Sequence, residues 1–161
     1  MRVLSATFIL SALLVLSTTS FNLQGQTPTR LQSGDWSILC SKVCKATQLL
    51  LSEDKTLKYS ATLSLTDDKT LLQMKLVFPL GIYLPANTAL MVNDIEKSIP
   101  VTTCVPSGCN ALLIMNSELQ KEMLDAPVFK IRFFSSNSRE NEVIYSLKGF
   151  DEALDLVNQI N

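Results

Sequence analysis

Apolar residues in this chain recur mostly every second position, the period of a half-buried strand. Tyr59, Ala61, Leu63 and Leu65 alternate with Ser60, Thr62 and Ser64. Leu72, Met74, Leu76 and Phe78 alternate with Gln73, Lys75 and Val77. The polar turn Thr66-Asp67-Asp68-Lys69 between these runs predicts a hairpin. Phe129, Ile131 and Phe133 alternate with Lys130 and Arg132, and Val143, Tyr145 and Leu147 with Ile144 and Ser146. Shorter apolar runs at residues 37–40, 48–51, 88–92, 99–101 and 111–115 read as further strands. Residues 93–97 are polar apart from Ile95 and read as a separator between two of them.

Two segments change the rhythm. Ser117 with Gln120 three residues on is a capping-box pattern, and Leu119 and Met123 share a helical face, predicting a short helix over 117–124 that Pro127 ends. Phe150, Ala153, Leu154, Val157 and Ile160 recur at helical spacing, with Asp151 and Glu152 in the first turn, where the helix dipole favours acids. About eight or nine strands, one short helix and one terminal helix predict an all-β fold. The expected architecture is an antiparallel β-sandwich, immunoglobulin-like or jelly-roll-like, with a C-terminal amphipathic helix. Trp36, the single tryptophan, is expected as a core anchor.

The start of the chain is different. Met1-Arg2 precedes an apolar run from Val3 to Leu16, followed by Ser17, Thr18, Thr19 and Ser20. That order reads as a secretory signal over residues 1–20, with 25 as the alternative end. The run is shorter than the ~20 residues that span a bilayer. No cysteine precedes Cys40, so lipid attachment at a cleavage-site cysteine is not expected. Residues 21–33 are polar with Gly and Pro and read as a flexible lead-in; the domain is expected over 34–161, and the mature protein is expected to be soluble.

A length of 161 residues fits one domain, and 47% hydrophobic content is ample for a core. The net charge of −1 gives no electrostatic footprint for nucleic acid. The absence of histidine removes Ser-His-Asp and Cys-His nucleophile systems and every His-ligated metal. Acidic pairs stand at Asp67-Asp68, Asp94 with Glu96, and Asp151-Glu152, in turns or at a helix start where solvation explains them. No phosphate-cradling glycine loop is present. The sequence therefore points to no catalytic residue, metal or cofactor. Loops around Pro85-Ala86-Asn87 and over 135–141 are the places where a partner would be touched.

Cys40, Cys44, Cys104 and Cys109 form an even set in a chain read as exported, which makes disulfides the default. Four cysteines allow three pairings. Short spacing favours Cys40–Cys44 and Cys104–Cys109, because a turn brings each pair within bonding reach. A four-thiolate zinc site fits less well, since the export signal argues against free thiolates, and so does a redox-active pair, since neither spacing is Cys-x-x-Cys opening a helix.

Five blocks of the chain resemble the invasion-associated locus B family of bacterial exported proteins. They are Gly34-Asp35-Trp36 leading to Cys40; Pro79-Leu80-Gly81-Ile82; Leu90-Met91-Val92; Cys104 with Gly108-Cys109 and Ala111; and Ser146-Leu147-Lys148-Gly149-Phe150 with Ala153-Leu154. The first two cysteines lie closer together than is usual in that family, which reads as a shortened hairpin. The resemblance implies a small all-β, non-enzymatic protein in the periplasm or on the outer surface of a Gram-negative bacterium. For pathogenic members it also implies a part in entering host cells, notably red blood cells, with a host-cell surface or envelope protein as partner. Because the family also occurs in bacteria that invade nothing, an envelope structural or chaperone-like module with no host ligand is the alternative.

Overall fold

A computed structural model describes residues 28–159. The expected signal segment lies outside the described residues, as do Ile160 and residues 21–27 of the expected lead-in. Eleven strands and two helices follow in order: β1 Thr29–Ser33, β2 Trp36–Cys40, β3 Cys44–Leu51, β4 Lys58–Leu65, β5 Leu72–Phe78, β6 Thr88–Val92, β7 Ile95–Ile99, β8 Val101–Val105, β9 Gly108–Ile114, α1 Ser117–Asp125, β10 Val128–Phe134, β11 Glu140–Ser146 and α2 Phe150–Asn158.

The strands form two antiparallel sheets. One has seven strands in the order β1-β2-β3-β4-β5-β9-β8, the other four in the order β11-β10-β6-β7. The first five strands are thus a meander, each hairpin placing its strand beside the last. The β4–β5 hairpin has the register the alternation requires, with Ala61 opposite Leu76 and Leu63 opposite Met74, all four buried.

Both sheets contribute to one apolar core. Phe133 of β10 lies 5.4 Å from Phe78 of β5 and 5.9 Å from Tyr59 of β4, ring centroid to ring centroid. Phe129 and Tyr145 stack at 4.9 Å within the smaller sheet. Helix α2 lays Phe150, Ala153, Leu154 and Val157 against the larger sheet, chiefly β3 and β4. Trp36 is fully buried and contacts Phe150 at 5.5 Å. At ~25 cal/mol per Å², removing an indole from water contributes up to about 4–6 kcal/mol.

Several expectations are corrected. The chain enters the sheet at Thr29, so the end of the stretch read as a lead-in over 21–33 is β1. Its side chains are mostly exposed, and an edge strand held by main-chain pairing to β2 leaves no apolar alternation to read. Strand β3 begins at Cys44 rather than residue 48. The separator over 93–97 shrinks to Asn93-Asp94, a two-residue hairpin turn with Asn93 at φ +46°, and β7 starts at Ile95. The cap of α1 is Asn116, one residue before the expected Ser117: its side-chain oxygen accepts from the Leu119 N–H at 3.0 Å. Gln120, expected as the reciprocal partner, donates instead to the Met115 carbonyl at 2.8 Å.

Candidate functional site

The motif residues gather in two places. In the first, the β1–β2 turn and the β11–α2 turn interlock through their backbones. Gly34 has φ +52° and Gly149 φ +79°, both in the left-handed region that favours glycine. A Cβ on Gly34 would stand 2.1 Å from the Lys148 carbonyl oxygen, and one on Gly149 2.4 Å from the Ser33 carbonyl. The Asp35 N–H donates to that Lys148 oxygen at 3.0 Å. Trp36 Nε1–H donates to the Ser146 carbonyl at 3.2 Å, and the Ser33 hydroxyl to the Glu152 carboxylate at 2.7 Å. Gly34, Asp35, Trp36, Gly149 and Phe150, far apart in sequence, therefore form one joint whose contacts are mutual support.

Buried Gln48, which no sequence pattern singled out, completes the joint. Its side-chain amide donates to the Ser146 carbonyl at 3.0 Å and accepts from the Ser146 N–H at 2.9 Å. Polar Gln48 on the inward face of β3 was the available signal, since a buried amide must find partners.

The second gathering is at the end of the molecule where Pro79-Leu80-Gly81 leaves β5. The β8–β9 hairpin turns there through Pro106-Ser107, and the Cys104–Cys109 disulfide joins directly opposed residues, Cα to Cα 3.9 Å. Gly108, at φ +137°, sits so close to β5 that an added Cβ would lie 2.4 Å from the Phe78 carbonyl oxygen. A cleft of about 350 Å³ is lined by Thr56 and Leu57 of the β3–β4 turn, Lys58 at the start of β4, Pro79 and Leu80, Pro106 and Ser107, and Gly108 at the start of β9. Leu57 and Leu80 of these segments are exposed, as are Tyr83 and Leu84 further along the connection after β5 and Val105 at the end of β8. The two loops named from sequence as contact candidates belong to the same end: Ile82 bridges to Ser135, the Tyr83 N–H donates to Phe134 O at 2.8 Å, and the Ser136 N–H to Gly81 O at 2.7 Å.

The other disulfide, Cys40–Cys44, closes the β2–β3 hairpin across a Cα separation of 4.0 Å. Disulfides are found in oxidising compartments outside the cytoplasm. Among the described residues no helix is long and apolar enough to cross a membrane, and no group of three or more Cys, Asp or Glu side chains could hold a metal ion.

The carboxylate pairs are dispersed by the fold. Asp68 accepts from Thr66 and Thr70 within its own turn, and those bonds hold its carboxyl below the usual range; Asp54 does the same with Ser52 and Thr56. Glu96 pairs with Arg132 across the smaller sheet, and Glu152 takes the Ser33 hydroxyl. Each serves a turn, a ladder or a joint. Tyr145 is buried: among the described residues its hydroxyl has no hydrogen-bond partner, and burial, reinforced by Tyr59, raises its pKa.

The backbone resembles the crystal structure of invasion associated protein b from Bartonella henselae, with a TM-score of 0.71 and 21% identity over 79% of this chain and 94% of that one. No curated protein matches the sequence. The family model described as "Invasion associated locus B (IalB) protein" matches residues 36–158, a span containing both disulfides and most of the interlocked joint, and the chain belongs to that family.

Proposed function

We propose that this chain is an exported, non-enzymatic bacterial protein whose loop end touches a host-cell surface molecule and contributes to invasion. Family membership supports the reading. The observation that carries it is the loop end: Leu57, Leu80, Tyr83 and Leu84 stand exposed on loops, and Val105 stands exposed at the end of β8 in the disulfide-closed β8–β9 hairpin. Large apolar side chains gathered on exposed loops mark interaction surfaces. In this reading residues 1–20 are a cleaved export signal, with 25 as the alternative end, and the mature chain reaches the periplasm or the outer surface.

The test is a strain carrying Leu80→Ser and Leu84→Ser in place of the native gene, compared with a deletion strain. Both substitutions fall on exposed positions, so the variant is expected to fold and be exported normally. It should lose host-cell uptake as the deletion does while its envelope resists detergent as wild type does. Unchanged uptake in both strains, together with a leaky envelope in the deletion, would replace this reading with that of an envelope module.

A further inference from the structure

Strand β11 is an edge of the smaller sheet, and its residues Glu142, Val143 and Ile144 line a groove. Which residues face outward follows from Ser146. Its N–H and C=O are both taken by Gln48, on the side away from β10. In an antiparallel pair, main-chain groups alternate between facing the partner and facing away. Ser146, Ile144 and Glu142 share a parity, so the N–H and C=O of Ile144 and Glu142 also point away from β10. Among the described residues, no hydrogen bond to a protein group occupies them.

The groove beside them has a volume of about 380 Å³ and runs between β11 and the β3–β4 corner. Its apolar wall includes Leu50, Leu51, Tyr59 and Val143, and its charged lining residues, Glu53 and Glu142, are both acidic. Glu142 is shared with Lys130 at 3.0 Å, while Glu53 has no ion pair among the described residues. Gln48 already does at Ser146 what a peptide group would do: one amide donates to the strand's carbonyl and accepts from its N–H.

We infer that the groove is a strand-addition site for an extended peptide that alternates apolar and basic residues. The peptide's backbone pairs with Ile144 and Glu142, continuing the ladder that Gln48 begins. Its apolar side chains lie on Leu50, Tyr59 and Val143, and its basic ones meet Glu53 and Glu142. A second copy fits poorly, because pairing β11 with itself sets Glu140 and Glu142 of the two copies near one another. This inference does not depend on the host-contact reading, and either can fail alone.

The probe is a blocked synthetic peptide of alternating lysine and valine, titrated into the full-length protein by calorimetry and followed by amide NMR. Binding should shift the Glu142 and Ile144 amide signals. A peptide N-methylated at alternate residues on its pairing edge, or one with glutamate in place of lysine, should bind about tenfold more weakly, the scale of one or two lost hydrogen bonds or ion contacts. Ile144→Pro removes only an outward N–H on an edge strand and should cost a similar factor. Glu53→Lys lies in an exposed turn, keeps the test valid should the proline variant not fold, and should weaken the lysine peptide while strengthening the glutamate one. Absence of binding, indifference to N-methylation, or equal affinity for the two charges overturns the proposal. So does concentration-dependent dimerisation that Ile144→Pro abolishes, which would assign the edge to a second copy.

Discussion

Gly34, Gly149 and Gly81 all have positive φ, yet they differ in what a methyl group would meet. At Gly34 and Gly149 it would collide with backbone that cannot rotate away. At Gly81 nothing among the described residues lies within 4 Å. Gly34→Ala is therefore expected to lower unfolding stability by about 3–4 kcal/mol, and Gly81→Ala by only the conformational cost of about 1–2 kcal/mol. Urea titration of the two variants checks the contrast; equal losses would mean the interlocked turns are not close-packed in solution. Tyr145 gives the opposite sign. Its buried hydroxyl has no partner among the described residues, so Tyr145→Phe should leave neutral-pH stability unchanged or raise it by up to about 1 kcal/mol. The phenol's pKa is raised on folding. Stability from this group is thus complete below the unfolded tyrosine value of about 10 and falls as pH rises above it, because the unfolded chain releases a proton that the native state keeps. The phenylalanine variant should show a shallower alkaline loss in urea midpoints measured from neutral pH to beyond ~10.5. The Gly34 and Gly149 motif was legible as blocks of sequence, but their meeting was not: residues more than a hundred positions apart carry no mutual local signal.

Hairpins were the best-read elements. Where one face is buried and the other wet, as in β4 and β5, the period of two announces the strand and its register. Where a strand lies at an edge, as β1 and β8 do, both faces are largely exposed and the alternation vanishes. The disulfides close short hairpins, so chain entropy gives each only about 2 kcal/mol. Replacing Cys104 and Cys109 by serine should cost roughly that much in a chemical-denaturation experiment, with cooperative unfolding kept. A collapse of folding would show that the bridge does more than hold the β8–β9 turn. Helix α1 falls in the stretch the sequence predicts but is capped one residue earlier, because Asn116 and Ser117 are both good caps and only the backbone dihedral at Asn116, φ −73° and ψ 167°, decides between them.

Across the whole molecule, the partition of strands between the sheets organises the surface. The long connection over residues 79–87 leaves the seven-stranded sheet after β5 and enters the four-stranded sheet at β6, and its crossing creates the apolar loop end. The shared core of Phe78, Phe133 and Tyr59 holds that crossing in place. The same partition leaves β11 an open edge beside β3, with Gln48 filling one position of its ladder. The proposed host contact rests on the loop end, and the proposed strand addition on the edge.

Local patterning was enough to establish a mostly β chain, its two helices and the inward faces of its central strands, and it favoured, among three possible pairings, the one within hairpins that the folded chain has. These depend on neighbours a few residues apart, where side-chain period and turn chemistry act directly. Which strands share a sheet, where the two glycine turns cross, and which main-chain groups of β11 remain outward depended on contacts between distant segments. Long-range packing chooses among many arrangements that all satisfy the same alternation, so only the folded chain distinguishes them.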